Sequence, residues 1–232
     1  MKLQRLYSLT RQALDQYDMI ESGDRIAVGI SGGMDSLSLL YALSGLQKFY
    51  PNSFTLTAIT VDLGYKGTSF TEIDKLCQTL GIEYHVVNTD IGEMLPAQKP
   101  CSLCARLRKG ALNQKALELG CNKIAYAHHM DDVIETLMMS LIYEGRLSCF
   151  WPVTAMEDTG LTVIRPLLFV PEADIIGFKN RYQLPVVASG CPYEQETERA
   201  YVKELIRQIN LHTPGVKKRL MTAVVHGNLE GW

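Results

Sequence analysis

Short apolar runs alternate with longer segments of helical spacing along most of the chain. The run DRIAVGIS, at 24–31, is rich in β-branched residues and lies between a polar turn and two glycines, so it predicts a buried strand. The other predicted strands are 54–63, 82–89 and 122–129, and the predicted helices are 6–20, 34–50, 71–81, 104–120 and 131–145. This alternation is typical of βαβ units. It predicts an α/β fold, a doubly wound and mostly parallel sheet with helices on both faces.

The pattern loosens from about residue 148, and three helical stretches follow at 172–183, 194–211 and 214–225. We predict three parts from these changes. They are an N-terminal helix at 1–22, an α/β domain at 23–170 and a C-terminal helical extension at 171–232.

Charge and composition favour a reducing compartment. Lys and Arg total 23 and Asp and Glu total 25, so the net charge is −2 and any basic surface for nucleic acid must be local. The N-terminal segment carries charges throughout, and no stretch approaches the roughly 20 apolar residues that span a bilayer. We expect a cytoplasmic protein with no membrane partner, whose six cysteines are reduced thiols.

The first stretch with chemical content is SGGMDS, at 31–36, between a predicted strand and a predicted helix. Two glycines there let the backbone approach an anion, and the helix N-terminus offers unpaired amides, although a tight turn capped by Ser31 or Ser36 is the alternative. The complete hexapeptide resembles the SGGxDS loop of the N-type ATP pyrophosphatases, which split ATP into AMP and pyrophosphate while they adenylate a substrate. The resemblance implies that ATP is bound by Ser31, Gly32, Gly33, Asp35 and Ser36, with Asp35 also catalytic.

A second stretch, HHMDDVIET at 128–136, opens the helix after the fourth predicted strand. Asp131 and Asp132 could simply cap that helix, and one of the histidines could be buried and structural. The stretch also resembles the HHxDDxxET element that several of these pyrophosphatases place beside ATP. The resemblance implies that His129 binds ATP and that Asp131 and Asp132 are catalytic, either by holding Mg²⁺ or by acting as a base.

Cys101 and Cys104 form a CxxC pair, and Cys191 stands far along the chain, before a proline. By itself a CxxC pair is compatible with zinc, with an iron–sulfur cluster or with redox chemistry, and zinc would need a fourth ligand such as His128 or His129. The segment PCSLCARLRKG resembles PCSLCxRLRRG of the tRNA 2-thiocytidine synthetases, and VIRPLLFVPEADIIGF resembles their IRPL segment. The thiouridine synthetases are related. The resemblance implies that Cys101, Cys104 and Cys191 hold a 4Fe-4S cluster with one open iron. We expect Cys77, Cys121 and Cys149 to lie in the core.

Several cations have two interpretations each. Behind the cysteine pair, Lys99, Arg106, Arg108 and Lys109 could be a solvated helix face or could bind thiolates, ATP phosphate or RNA. We include Arg108 among the catalytic candidates and Val61 among the residues that bind ATP. The C-terminal cations could form an RNA surface or be solvated, and they are Arg199, Lys203, Arg207, Lys217, Lys218 and Arg219.

Together these resemblances imply an ATP-dependent sulfurtransferase of the tRNA 2-thiocytidine synthetase type. It would adenylate a pyrimidine carbonyl oxygen, most plausibly in tRNA, and replace that oxygen with sulfur. The implied cofactors are ATP, Mg²⁺ and a 4Fe-4S cluster, and the implied partners are tRNA and a sulfur donor, with a homodimer left open. The alternatives are a small pyrimidine substrate, an amine nucleophile as in lysidine synthetases, and a non-catalytic nucleotide or iron–sulfur binding module.

Overall fold

The computed structural model of the chain describes residues 1–65, 67–95, 100–187, 198–227 and 229–232. A six-stranded sheet lies at its centre, in the order β3-β2-β1-β4-β6-β5. The strands are β1 Asp24–Gly29, β2 Phe54–Asp62, β3 Glu83–Asn88, β4 Lys123–Ala125, β5 Val153–Ala155 and β6 Thr162–Ile164. All neighbours are parallel except β5, which is antiparallel to β6. The predicted mostly parallel sheet is confirmed.

The sheet reverses its order between β1 and β4. From β1 the chain proceeds outward to β2 and β3, and then crosses to the opposite side of β1 to form β4. In open α/β sheets, ligands bind in the crevice outside the carboxyl ends of the strands at such a point. The fold therefore predicts a ligand-binding site at the carboxyl ends of β1 and β4.

Helices cover both faces of the sheet. They are α1 Leu3–Gln16, α2 Met34–Leu46, α3 Thr71–Leu80, α4 Ile91–Met94, α5 Pro100–Glu118, α6 Met130–Met139, α7 Glu172–Tyr182, α8 Glu198–His212 and α9 Val216–His226. Successive residues of β1 point to opposite faces, as the period of a strand requires. Ile26 and Val28 face a large core that includes α2, whereas Ala27 faces a smaller core with Leu112 of α5.

Three sequence predictions need correction. The segment after residue 148 contains the β5–β6 hairpin, whose three-residue strands are too short for an alternating pattern to reveal. Helix α5 begins at Pro100, so Cys101 lies on a helix and not in the predicted loop. The helix predicted to reach residue 145 changes after Met139 into a π-helical turn, Ser140–Glu144.

The predicted terminal segments share the main core. Leu6 of α1, Val202 of α8 and Val224 of α9 are fully buried in the same apolar cluster as the sheet. The boundaries at 22/23 and 170/171 stay predictions. None of the described helices has the length and apolarity that a bilayer crossing requires.

Candidate functional site

The loop after β1 is closed by its own serines. Ser36 Oγ donates to the carbonyl oxygen of Gly33 at 3.0 Å, and the N–H groups of Ser31 and Gly33 donate to hydroxyl oxygens at 3.2 Å. Helix α2 begins at Met34 without a side-chain cap, so the N–H groups of its first turn retain their capacity to bind an anion. The two interpretations of SGGMDS, a serine-capped turn and a phosphate-binding loop, are therefore compatible in this geometry.

Gly32 connects this loop with Val187, in the segment that follows α7. Its φ of +85° is one that side chains rarely adopt, and a Cβ added there would lie 3.2 Å from Cβ of Val187. The N–H of Val187 donates to the carbonyl oxygen of Gly32 at 3.0 Å. A glycine is thus required both by the positive φ and by the close approach of the Val187 side chain.

A mostly apolar pocket opens between the ends of β1 and β2 and the helix α5. Its wall includes Gly29, Ile59 and Val61 from the strands, with Arg108 and Leu112 from the helix. Apolar walls with a few polar groups are usual for sites that take an aromatic ligand. Val61 and Arg108, both predicted from the sequence, line one cavity, and their roles toward ATP stay predictions.

His129 links Asp35 of α2 to Asp132 of α6. Its Nδ1 accepts the N–H of Asp132 at 3.4 Å, while Asp132 Oδ2 accepts the N–H of His129 at 2.9 Å. Because Nδ1 is an acceptor, the ring proton is on Nε2, which faces Asp35 Oδ1 at 3.8 Å. That distance is too long for a hydrogen bond.

Asp35 therefore retains a buried oxygen, Oδ1, with no hydrogen-bond partner among the described residues. Burial raises the pKa of Asp35, and the nearby charges of Asp132 and Glu172 raise it further, whereas His129 and Lys203 act in the opposite direction. An uncompensated carboxylate oxygen is costly in the absence of a ligand. Its chemistry fits a hard divalent cation such as Mg²⁺, which prefers oxygen ligands.

Asp131 has a different environment from its neighbour. Oδ2 accepts the backbone N–H of Glu172 at 2.7 Å, and Oδ1 accepts from Lys217 Nζ at 2.5 Å. Burial by itself raises the pKa of Asp131, but these two donors outweigh it and the pKa is lowered. Both oxygens are thus engaged by the protein, and the predicted catalytic role of Asp131 remains untested.

Cations from the C-terminal helices pair with acidic groups around α6. Arg199 Nη1 lies 3.2 Å from Glu135 Oε2 and 3.6 Å from Asp132 Oδ1. Lys203 Nζ lies 2.5 Å from Glu172 Oε1. With Lys217, these are three of the six C-terminal cations that the sequence suggested for RNA or for solvent. Sequence reasoning missed this pairing because no local pattern connects residues 31 to 86 positions apart.

The CxxC pair lies on the same face of α5 as the pocket lining. Arg108 and Leu112 follow Cys101 by seven and eleven residues, so the three residues lie along one stripe of an α-helix. Cys104, four residues before Arg108, lies next to this stripe. Cys101 is exposed and Cys104 is half-buried. Along this stripe Cys101 lies about 10 Å from Arg108, which belongs to the pocket wall.

The other cysteines behave as expected, with one qualification. Cys77 and Cys121 are buried, whereas Cys149 is half-buried and its Sγ donates to the carbonyl oxygen of Val133 at 3.4 Å. Burial raises the pKa of Cys77 and of Cys149 to about 11, so these thiols are poor metal ligands. Cys191 and Lys99 lie outside the described residues, and within the described ranges no group of three metal-ligating side chains converges.

The sequence reasoning did not single out Arg165, although it quoted the segment that contains it. Arg165 follows β6, and its Nε donates to Nδ1 of His128 at 3.2 Å. It also donates to Thr154 Oγ1 at 3.0 Å and to the carbonyl oxygen of Trp151. The partner of His128 comes from 37 positions away, beyond any local motif.

Comparison with known proteins agrees with the fold and the loop. A family model of the PP-loop domain matches residues 5–210. The tRNA-cytidine(32) 2-sulfurtransferase of Citrifermentans bemidjiense is 38% identical over 95% of this chain and 89% of its own length. The enzyme of the same name from Geobacter sulfurreducens is 35% identical over 99% of this chain and 91% of its own.

A solved structure extends the likeness to three dimensions. The U34-tRNA thiolase NcsA from Methanococcus maripaludis, solved with its [4Fe-4S] cluster, superposes with a TM-score of 0.77 and 28% identity, covering 97% of this chain and 79% of that one. Since the family match covers most of the chain and the curated relatives match nearly end to end, this protein belongs to the PP-loop family and, within it, to the tRNA-cytidine(32) 2-sulfurtransferases.

Proposed function

We propose that the protein is an ATP-dependent tRNA sulfurtransferase that replaces the 2-oxo group of a cytidine in tRNA with sulfur, releasing AMP and pyrophosphate. The substrate follows the names of the curated relatives. The observation that supports the proposal is the stripe Cys101–Arg108–Leu112 on α5, because one helix face carries a candidate cluster cysteine and two residues of the pocket wall. A nucleotide-binding module would not need this juxtaposition.

ATP binding uses groups that the described residues leave available. The first-turn N–H groups of α2, with Ser31, Gly32, Gly33 and Ser36, would hold the pyrophosphate portion. Val61 and Leu112 would line the base pocket, and Arg108 would offer a cation to a phosphate. Asp35 would hold Mg²⁺ through its unpartnered Oδ1, and His129, whose Nε2 lies 3.8 Å from that oxygen, would contact the bound ATP.

The reaction is two nucleophilic substitutions without a change of oxidation state. The pyrimidine carbonyl oxygen attacks the α-phosphorus, the bond to the β-phosphate oxygen breaks, and pyrophosphate leaves into the loop. Sulfur at the sulfide level then forms a bond to the activated carbon, the carbon–oxygen bond breaks, and AMP leaves while the sulfide proton goes to solvent. The amides of the loop and Arg108 stabilise the charge that develops on the departing phosphates.

The cysteines supply the sulfur-handling part of this proposal. Cys101 and Cys104 would supply two ligands from one helix end, and Cys191 would be the third ligand. A 4Fe-4S cluster held by three cysteines has one iron without a protein ligand, which can hold sulfide. The donor of that sulfide, a cytoplasmic location and a homodimer are proposals of the same standing. For the homodimer, exposed apolar side chains at the π-helical turn, Leu141, Ile142 and Leu147, offer a surface.

The test is a turnover assay under anaerobic conditions with ATP, Mg²⁺, sulfide and unmodified tRNA. We expect AMP and pyrophosphate in equal amounts and 2-thiocytidine in the digested tRNA. ADP and phosphate would contradict the PP-loop chemistry. AMP without sulfur in the RNA would favour an amine nucleophile, activity on free cytidine nucleotides would favour a small-molecule substrate, and no release of pyrophosphate would favour a binding module.

A further inference from the structure

A half-buried guanidinium with no acidic partner among the described residues lies at the carboxyl edge of the sheet, where the proposed reaction site is. Arg165 follows β6, at the carboxyl edge of the sheet, and no carboxylate pairs with it in the part of the chain that the structure describes. Its donors go to Nδ1 of His128, to Thr154 and to the carbonyl oxygen of Trp151, and its guanidinium lies 5.1 Å from the ring centroid of Phe150. Burying such a cation is costly, so its position calls for an explanation beyond packing.

Arg165 determines the tautomer of His128. Guanidinium nitrogen atoms only donate, so Nδ1 of His128 must accept and the proton of the neutral ring must be on Nε2. Burial, followed by the charge of Arg165, lowers the pKa of His128 to about 4, with Arg199 and His129 acting in the same direction and Asp132 opposing them. At neutral pH the ring is therefore an uncharged donor of fixed orientation, as in enzymes that use a neutral imidazole as an electrophile.

Two polar groups in this crevice lack partners. No described residue accepts the Nε2–H of His128. The hydroxyl oxygen of Tyr126 is buried and has no hydrogen-bond partner within the described ranges, although its side chain also lines the nucleotide pocket. The two rings are 5.9 Å apart on the stretch that follows β4, and Phe150 lies 4.7 Å from His128 as an apolar wall. A half-buried ring donor and a buried hydroxyl, both without a partner among the described residues and beside an aromatic wall, fit a planar, polar ligand.

The position of these groups relates that ligand to the nucleotide. The pocket that includes Val61 and Leu112 lies on the β2 side of β1, whereas His128 and Arg165 lie beyond β4 on the opposite side. Tyr126 stands between the two. Because the pocket takes up the β2 side of β1, we expect the acceptor base to approach the α-phosphate from the β4 side, where His128 lies.

We propose that His128, held as the Nε2–H tautomer by Arg165, is a catalytic residue that donates a hydrogen bond to the ring nitrogen next to the reacting carbon of the acceptor pyrimidine. Tyr126 would make a second polar contact to the same base, and Arg165 is a positioning residue. This inference rests on the proposed function and assigns a residue to its second step.

This hydrogen bond should act during the second step of the reaction, the addition of sulfur to the activated carbon. When sulfur bonds to the activated carbon, the electron pair of the carbon–nitrogen double bond moves to the ring nitrogen, and it returns when the carbon–oxygen bond to AMP breaks. Because the adenylated cytidine ring is cationic, this electron pair neutralises the ring and makes the nitrogen a stronger hydrogen-bond acceptor. A fixed donor at that nitrogen stabilises the electron pair, and His128 keeps its proton throughout. Adenylation places no negative charge on the nitrogen, so the donor should matter for sulfur incorporation and little for pyrophosphate release.

The test separates these steps in a single turnover of the anaerobically purified protein with tRNA. In His128→Phe, which keeps an aromatic ring but no donor, we expect pyrophosphate release near the wild-type rate and sulfur incorporation slower by about 100-fold. His128→Gln, which restores an N–H, should recover about tenfold of that loss. His212→Phe, at an exposed position on α8, is the matched control and should leave both steps unchanged.

A ¹⁵N NMR measurement of the histidine rings tests the role of Arg165 without any turnover. In the wild-type protein we expect His128 as the Nε2–H tautomer at neutral pH, and in Arg165→Met we expect a mixture of tautomers and an increased pKa. A wild-type Nδ1–H tautomer, or normal sulfur incorporation by a folded His128→Phe variant, would overturn the inference. A wild-type protein that releases no pyrophosphate would instead overturn the proposed function, and the assignment of the base with it.

Discussion

The Nζ atom of Lys217, in the last helix, lies 2.5 Å from Oδ1 of Asp131, at the start of α6. The other oxygen of Asp131 accepts the N–H of Glu172, the first residue of α7. The side chain of Asp131 is only 5% exposed, so one carboxylate connects three helices below the proposed reaction site. A residue that motif comparison assigns to catalysis thus has the contacts of a structural anchor.

We predict that Lys217→Met lowers the free energy of unfolding by about 1–3 kcal/mol, because a buried carboxylate loses a charged donor. Asp131→Asn should be destabilising as well, since it leaves Lys217 without its partner. Urea unfolding measures both, with Lys218→Met, an exposed neighbour, as the control. If Asp131 is an anchor, each folded variant should still form AMP at a measurable rate. An Asp131→Asn protein of wild-type stability without turnover would assign it to catalysis instead.

Asp35 should show the opposite effect on stability. Burial raises its pKa in the folded protein, so its ionised form costs stability at neutral pH. Asp35→Asn should therefore raise the melting temperature at pH 7. The difference should shrink as the pH falls through the folded-state pKa and disappear below the unfolded-state pKa of about 3.9, where the carboxyl group is neutral in both the folded and the unfolded state. The same change should reduce AMP formation by about 100-fold or more, through loss of the proposed Mg²⁺ ligand.

Asp131 should show the opposite dependence of stability on pH, because its pKa is shifted in the opposite direction from that of Asp35. Its folded-state pKa is lowered, so its contribution to stability is present above the unfolded-state pKa and is lost as the pH falls through the folded-state value. Asp131→Asn should therefore be most destabilising near neutral pH and approach the wild type in acid. Equal pH profiles for Asp35→Asn and Asp131→Asn would contradict both assignments.

The sequence was informative where the chemistry is local. The SGGMDS loop needs a strand before it, a helix after it and glycine at the position with φ of +85°, and all three are readable within a dozen residues. The first four strands were predictable for the same reason, since each is long enough or flanked clearly enough to show its period.

The rest could not be predicted because it depends on contacts between distant residues. Arg165 reaches His128 from 37 positions away, and Lys217 reaches Asp131 from 86. A charged residue in an amphipathic helix looks the same in sequence whether it meets solvent, RNA or a buried carboxylate. Only the folded structure distinguishes these environments, and in it Lys203 and Lys217 form ion pairs with carboxylates.

The cysteines give a further prediction, on iron and sulfide content. Anaerobically prepared wild-type protein should contain iron and sulfide, and Cys101→Ser, Cys104→Ser and Cys191→Ser should each lose most of both while they retain ATP binding. Cys149→Ser is the matched control, because its side chain donates to a backbone carbonyl and its raised pKa disfavours a ligating thiolate. Stoichiometric zinc without sulfide, or a Cys191→Ser variant that keeps its full iron content, would contradict the cluster.

The pairing of the C-terminal cations directs the search for the tRNA surface toward α5. Arg106 and Lys109 are exposed and take part in no ion pair between described residues, whereas Arg207 forms two hydrogen bonds to Glu204 at 2.7 Å. A cation that is already neutralised gains little from a phosphate. The unpaired cations beside the CxxC pair are therefore the better candidates for RNA contacts, despite the net charge of −2.

We predict that the protein binds tRNA with micromolar or weaker affinity and a steep dependence on salt, since neutralised phosphates release counterions. Arg106→Ala and Lys109→Ala should each weaken binding and reduce the slope of log K against log salt by about 1, whereas Arg207→Ala should change neither. Filter binding over a range of salt concentrations measures both quantities. A loss of affinity in Arg207→Ala equal to that in Arg106→Ala would move the RNA surface to α8, and binding that does not depend on salt would contradict phosphate recognition altogether.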